Sequence, residues 1–239
     1  MSDNLTLFFP NSFPENITSV KIDIGLSYNV PQSQVWLSHD PHVYVFGFEP
    51  NPECVDIIQR GNIQKKDSSH GEPIHQEFLD TRFSLFPIAL GNVENPSEMN
   101  FYQMNNDCGT SSLYQPTDAS IGPVKHMIKV PVFSLKHFFD LFPWERFPHI
   151  EYIKIDAQGS DMDILMGAGE YLKDRVVYIT AEPEYASYAN CGHNTSSNIT
   201  AYLESQGFDR VNHPNTSDPT FINRKFSHLT DDIFIWQKG

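Results

Sequence analysis

Two β-rich runs, each ending in a carboxylate and a turn, restrict what this chain can fold into more than any other feature. They are Val20-Lys21-Ile22-Asp23-Ile24-Gly25 and Val43-Tyr44-Val45-Phe46-Gly47-Phe48-Glu49-Pro50. Each leads into a stretch with helix-start chemistry, Pro31 after the first and Pro52 after the second, because proline is favoured at the first helical position. In a doubly wound α/β sheet the carboxyl ends of the strands form the ligand crevice. Glu49 follows Asp23 by 26 positions, near the spacing of about 20 at which an acid takes a ribose hydroxyl. A nucleoside ligand is expected, against the alternative of an ordinary strand-to-loop turn.

The first turn narrows the ligand. A dinucleotide brings a pyrophosphate, which calls for a glycine-rich turn whose amides approach the phosphates. Here the turn reads Asp23-Ile24-Gly25-Leu26-Ser27-Tyr28-Asn29-Val30-Pro31, with one glycine. S-adenosylmethionine carries ribose and adenine without phosphate, and its ammonium and sulfonium are cations. An acidic turn with one close-approach glycine suits it better.

The chain has 239 residues, 39% of them apolar and 13% aromatic, enough for a full core in a single domain over 1–239. A net charge of -14 with only 16 Lys and Arg argues against a nucleic-acid backbone as partner. Met1 to Leu5 shows no basic region followed by an apolar run, and no apolar stretch approaches transmembrane length. The reading is a soluble, cytoplasmic protein. Cys54, Cys108 and Cys191 are widely spaced and odd in number, so neither a disulfide framework nor a zinc pair is expected.

Along the chain, residues 1–18 form an N-terminal extension. Pro52 to Gly61 reads as a short crossover helix with Cys54, Val55 and Ile58 on one face, and Asn62 to Glu77 as a loop. Phe83 to Leu90, Asn100 to Met104 and Met127 to Phe133 read as the third, fourth and fifth strands. The polar connector 105–126 between the last two is too long for a simple turn, and such loops are often lids or binding loops. It contains Gly109-Thr110-Ser111-Ser112, a candidate substrate loop or a plain turn. Ser134 caps an aromatic helix, Leu135 to Phe142, whose rings suit core packing better than sugar stacking.

Ile150 to Ala168 holds the densest information. A β-branched run ends at Asp156, after which Ser160 with Asp163 three residues on suggests a capping box. Asp161 and Asp163 then complement the helix dipole, whereas Asp156 stands at the strand tip with no capping duty. Val176 to Ala181 repeats the theme, with Glu182-Pro183-Glu184 as its tip. Asn198 to Gln206 reads as a helix, and Phe208 to His213 with Ile233 to Gln237 as closing strands, an antiparallel end pair.

Taken together, Ile22-Asp23-Ile24-Gly25, Phe48-Glu49-Pro50-Asn51-Pro52, Ala89-Leu90-Gly91-Asn92 and Ile153-Lys154-Ile155-Asp156-Ala157-Gln158-Gly159-Ser160-Asp161 stand in the order found in one family. Over residues 19 to 210 the chain resembles FkbM-type S-adenosylmethionine-dependent methyltransferases. The resemblance implies a class I Rossmann-like fold, with a mostly parallel sheet of about seven strands and an antiparallel end pair. It also implies O-methylation, often of sugar hydroxyls. The chain departs from the family at Leu26, Asn29 and Val30, where a second glycine is usual, and at Gln158, where Glu is common.

Carried over by position, the resemblance puts Asp23 and Gly25 at the methionine moiety and Glu49 on the ribose diol. Asn51 would neighbour the adenosine, and Ala89 to Asn92 would lie beside adenine. Asp156 and Glu182 are candidates for general base, or for joint ligands of Mg²⁺ or Mn²⁺, with Asp161 and Glu184 as extra ligands. Solvated loop carboxylates are the plainer alternative for Glu182 and Glu184. His193, in a polar loop, is either catalytic or simply exposed. Ser111, Ser112 and Glu184 are candidate contacts for a carbohydrate or other hydroxyl-bearing acceptor. Two rivals remain: a nicotinamide-dependent oxidoreductase, and a non-catalytic glycan-binding protein on the same fold.

Overall fold

A computed structural model of the chain describes residues 2–61, 73–213 and 216–229. Its strands are β1 (Ser19–Ile24), β2 (Val43–Phe48), β3 (Phe83–Phe86), β4 (Ala89–Leu90), β5 (Ser97–Met104), β6 (Val124–Phe133), β7 (Ile150–Ile155), β8 (Val176–Ala181), β9 (Phe208–Arg210) and β10 (Thr220–Asn223). The helices are α1 (Pro31–His39), α2 (Pro52–Arg60), α3 (Leu135–Phe139), α4 (Asp161–Met166), α5 (Tyr171–Arg175) and α6 (Ser196–Ser205).

Seven strands form the main sheet in the order β3-β2-β1-β7-β8-β10-β9. The pairs β1·β2, β1·β7, β2·β3 and β7·β8 are parallel, while β10 runs antiparallel to both β8 and β9. Every residue of β1, β2 and β8 is buried, as expected of strands covered on both faces. One face packs on an aromatic core that includes Phe46, Phe86, Phe138 and Phe142, and the other on Trp36, Tyr152 and Tyr178. Strand order reverses between β1 and β7, so the crevice at their carboxyl ends is the topological switch point.

The fold class is as expected, and several elements differ. Phe83 to Leu90 is not one strand: Pro87, which lacks a donor, separates β3 from β4. The two halves enter different sheets, since β4, β5 and β6 form a second, three-stranded sheet in the order β4-β6-β5. The expected fourth and fifth strands thus belong to this satellite hairpin, in which β5 and β6 pair antiparallel. The expected strand Ile233 to Gln237 lies outside the described residues, and so does most of the Asn62 to Glu77 loop. The partner of β9 is β10, a strand of four residues too short to announce itself by alternation.

Helix ends follow local chemistry. Asn51 caps α2 by accepting from the Glu53 N–H at 3.1 Å, and the helix stops at Gly61. Its buried face is Cys54, Ile57 and Ile58 rather than Val55. Ser134 and His137 form a reciprocal capping box on α3, which ends at Phe139, earlier than expected. Ser160 does not cap α4: its hydroxyl is buried without a partner.

Candidate active site

A cavity of about 370 Å³ opens at the carboxyl ends of β1, β2, β7 and β8, within the range of small-molecule sites. Strand tips supply Gly25, Glu49, Asp156 and Glu182. Leu90, Phe101 and Ile164 form an apolar wall, and the connector closes one side with Asp107, Cys108, Gly109, Thr110 and Ser111. Among the expected residues, Gly25, Glu49, Ala89, Leu90, Gly109, Thr110, Ser111, Asp156 and Glu182 line this cavity.

The rest stand behind or beside it. Asp23 is buried, and its Oδ2 accepts from the Ser33 N–H at 3.1 Å and the Ser33 hydroxyl at 2.6 Å. It thereby caps α1, whose own N-cap residue Val30 has a left-handed φ of 47° and no side-chain cap. Asn51 is likewise structural, accepting from Gln103 Nε2 at 2.8 Å in addition to capping α2. Asn92 is exposed. Ser112 donates to the Gln158 carbonyl at 2.7 Å, and Glu184 accepts from the N–H groups of Ala186 and Ser187. His193 bonds Asp163 through Nε2 at 3.2 Å. Tyr114 donates to the same Asp163 oxygen, so the connector and the loop before α6 meet on α4, and His193 does not line the cavity.

Glu49 ties two turns together. Its Oε2 accepts from the Ser27 N–H at 2.9 Å and its Oε1 from the Asn51 N–H at 2.7 Å. Burial pushes its carboxyl up to about 7 despite these bonds. The Leu26 N–H bonds the same carboxylate, and three donors leave it lone-pair capacity to accept from a hydroxyl in the cavity.

Gly25 approaches the protein rather than a ligand. A Cβ there would meet the Asp156 carbonyl oxygen at 1.8 Å, and φ is +78°. The single glycine of the first turn is required by the contact between the β1 and β7 tips.

Asp156 is held from both sides. Lys154 Nζ reaches its Oδ2 at 3.1 Å, and Gln158 Nε2 donates to its Oδ1 at 2.9 Å. Burial alone would raise its carboxyl, but the Lys154 charge and hydrogen bonds that include one from Glu182 bring it below the usual carboxylate range. Burial would in turn lower Lys154, yet Asp156 and Asp23 hold it above the ordinary lysine value. Asp161 is fully buried and accepts from the Glu182 N–H at 2.9 Å and the Ala157 N–H at 3.4 Å. Burial lifts it to about 7. Far from being dipole charge at a helix surface, it staples the β7 and β8 tips.

This arrangement does not fit a divalent metal. The ammonium of Lys154 stands where a cation would sit beside Asp156, and Asp161 is committed to backbone donors. Among the described residues no cluster of three or more His, Cys, Asp or Glu side chains could hold a metal ion. The cavity does fit a cationic nucleoside: carboxylates line its floor and an apolar wall suits a base.

The FkbM methyltransferase domain matches residues 12–210. The chain belongs to this methyltransferase family. Among solved structures, methyltransferase FkbM from Methylobacillus flagellatus KT matches at a TM-score of 0.47 and 12% identity, covering 87% of this chain and 44% of that one. The chain thus spans less than half the length of that neighbour. No curated protein matches it. Among the described residues no helix is long and apolar enough to cross a membrane.

Sequence reasoning missed Lys154, Ser27 and Cys108 as cavity residues, whereas Thr110 lines it as part of the expected 109–112 loop. Lys154 was visible inside the strand motif, but strand alternation alone does not say which side chain reaches a crevice. Cys108 packs beside Cys54 in one small cluster, a proximity that a separation of 54 positions concealed.

Proposed function

We propose that this chain is an S-adenosylmethionine-dependent O-methyltransferase acting on a hydroxyl of a carbohydrate or glycoconjugate. Family membership supports methyl transfer. The observation that carries the cofactor class is Glu49, a buried carboxylate at the β2 tip facing a nucleoside-sized cavity with no phosphate cradle. When bound, the cofactor supplies an electrophilic methyl group on a sulfonium.

The chain's own residues must align the acceptor oxygen and remove its proton as the new bond forms. Asp156 and Glu182, hydrogen-bonded to one another at adjacent strand tips, form the carboxylate pair that takes it. These carboxylates need only receive the acceptor's proton, because the cofactor would supply the methyl group and retain the bonding pair it leaves behind. Lys154 maintains Asp156 in its ionised form, which keeps an acceptor for the proton in place without a metal. The connector, packed over one side, would restrict water while leaving room for an acceptor. Sugar hydroxyls suit the neutral polar groups near the mouth, such as Gln158, Thr110 and Ser111.

The test is transfer of a labelled methyl group from S-adenosylmethionine to a panel of oligosaccharides with free hydroxyls. Base-stable label on a glycan is expected, since ethers survive alkali and esters do not. Label found only on protein or lipid head groups would reject the carbohydrate acceptor.

A further inference from the structure

Gln158 is held more firmly than a turn residue requires. Its φ of 48° is left-handed and Gly159 continues at 97°, a conformation that costs free energy for a residue with a side chain. Ser112 donates to its carbonyl at 2.7 Å. At the far end of the side chain, Nε2 donates to Asp156 and Oε1 accepts from the Tyr188 hydroxyl at 2.9 Å. The same hydroxyl lies 2.7 Å from the Thr110 carbonyl on the connector. One hydroxyl hydrogen therefore serves two acceptors, one on each side.

The chemistry of an amide makes this chain directional. With a donor hydroxyl on one side and a carboxylate on the other, only one flip of the Gln158 amide satisfies both neighbours. The opposite flip would set an oxygen against the Asp156 carboxylate. Tyr188 is itself fixed to the connector by neighbouring backbone bonds, Thr117 N–H to Ser187 O and Ala189 N–H to Gln115 O, both at 2.8 Å. We infer that Gln158 and Tyr188 are positioning residues for Asp156, and that they make its orientation depend on the connector being closed over the cavity. This rests on the methyltransferase reading for its purpose, though not for its geometry.

The groups facing Asp156 are Lys154 on its own strand, Asp23 on β1, Glu49 beyond β2, Asp161 on α4, Glu182 beyond β8, and Tyr188. Of its two nitrogen donors, Lys154 is charged and Gln158 neutral. A carboxylate at position 158 would face Asp156 with like charge and no donor.

The experiment follows the Asp156 carboxyl carbon by NMR as pH is varied, in protein carrying ¹³C-labelled aspartate, with the signal assigned through Asp156→Asn. Gln158→Leu should raise its titration midpoint by about one pH unit, a tenfold gain in proton affinity, and Gln158→Glu should raise it further. Tyr188→Phe, which removes one oxygen, should raise it in the same direction by a smaller amount. It should also speed hydrogen exchange of the amides from Thr110 to Tyr114 at least tenfold. Wild-type values for both in Tyr188→Phe would overturn the inference, and so would a change in only one of them. S-adenosylhomocysteine binding by the wild-type protein is measured alongside. Failure of that binding with the midpoints shifted would reject the function and keep the relay; intact binding with unmoved midpoints would do the reverse.

Discussion

Gly25 packs against the backbone carbonyl of Asp156 so closely that a Cβ at position 25 would fall 1.8 Å from that oxygen. Because the obstacle is backbone, it cannot rotate away. Gly25→Ala combines this clash with a left-handed φ of +78°, and it should cost about 3 kcal/mol or more. Urea unfolding measures it. A loss under about 1 kcal/mol would show that the two strand tips can separate freely.

Glu49 and Asp161 make stability depend on pH in an uncommon direction. Burial raises both carboxyls to about 7 from ordinary values of 4.5 and 3.8, so the folded state holds their protons more tightly than the unfolded state. Their contribution therefore falls as pH climbs from about 4 to about 7 and is level above that. Asp156, held below the usual range, acts oppositely, losing its contribution as pH falls through its folded value. Glu49→Gln should flatten the decline between pH 5 and 7 relative to wild type. Parallel wild-type and variant curves would refute the assignment.

If Glu49 holds the ribose as proposed, the same carboxyl should couple proton release to ligand binding. In the proposed function, ribose hydroxyls would donate to the ionised form of Glu49, so that binding would draw its proton off. At pH 6.5, S-adenosylhomocysteine binding should release protons, seen as a dependence of the apparent enthalpy on buffer ionisation heat. Affinity should fall as pH drops below about 7. Glu49→Gln should abolish the proton release; its persistence would place the titrating group elsewhere.

Two polar residues expected to cap or contact should behave very differently. Asn51 caps α2 and bonds Gln103, and Asn51→Ala should cost about 1–2 kcal/mol. The buried Ser160 hydroxyl has no partner, so Ser160→Ala should lie within about 0.5 kcal/mol of wild type. A large loss in Ser160→Ala would reveal a bond that the folded geometry lacks.

Lys154 beside Asp156 leads to an expectation about metals. Treatment with a chelator, or addition of Mg²⁺ or Mn²⁺, should leave S-adenosylhomocysteine affinity unchanged. A tenfold gain on adding either ion would contradict the placement of Lys154 as the resident cation.

The β2 strand was legible because a parallel strand buried on both faces is written as a continuous apolar run, and β1 because Val20, Ile22 and Ile24 give a β-branched run up to the turn at Gly25. Glu49 was legible because an acid directly after such a run falls at a strand tip, where an open α/β sheet keeps its ligand crevice. The fate of Asp23 was not legible. Whether a strand-tip carboxylate faces a ligand or turns back onto a helix depends on the three-dimensional path of the turn, and Val30, unable to cap α1, leaves that duty to Asp23. Phe83 to Leu90 looked like one strand because the apolar run continues across Pro87; the change of sheet is a tertiary event. Gln158 stood out as a difference from related chains, but its role became visible only when Tyr188, 30 positions away, was brought against it.

Calorimetric titration of the protein with S-adenosylhomocysteine, with NAD and NADH as controls, decides what this cavity holds. Micromolar binding that is lost in Glu49→Ala, with no response to either nicotinamide, is the expected result. Absence of binding by the wild-type protein, or equal affinity in Glu49→Ala, would contradict the assignment of this cavity to S-adenosylmethionine.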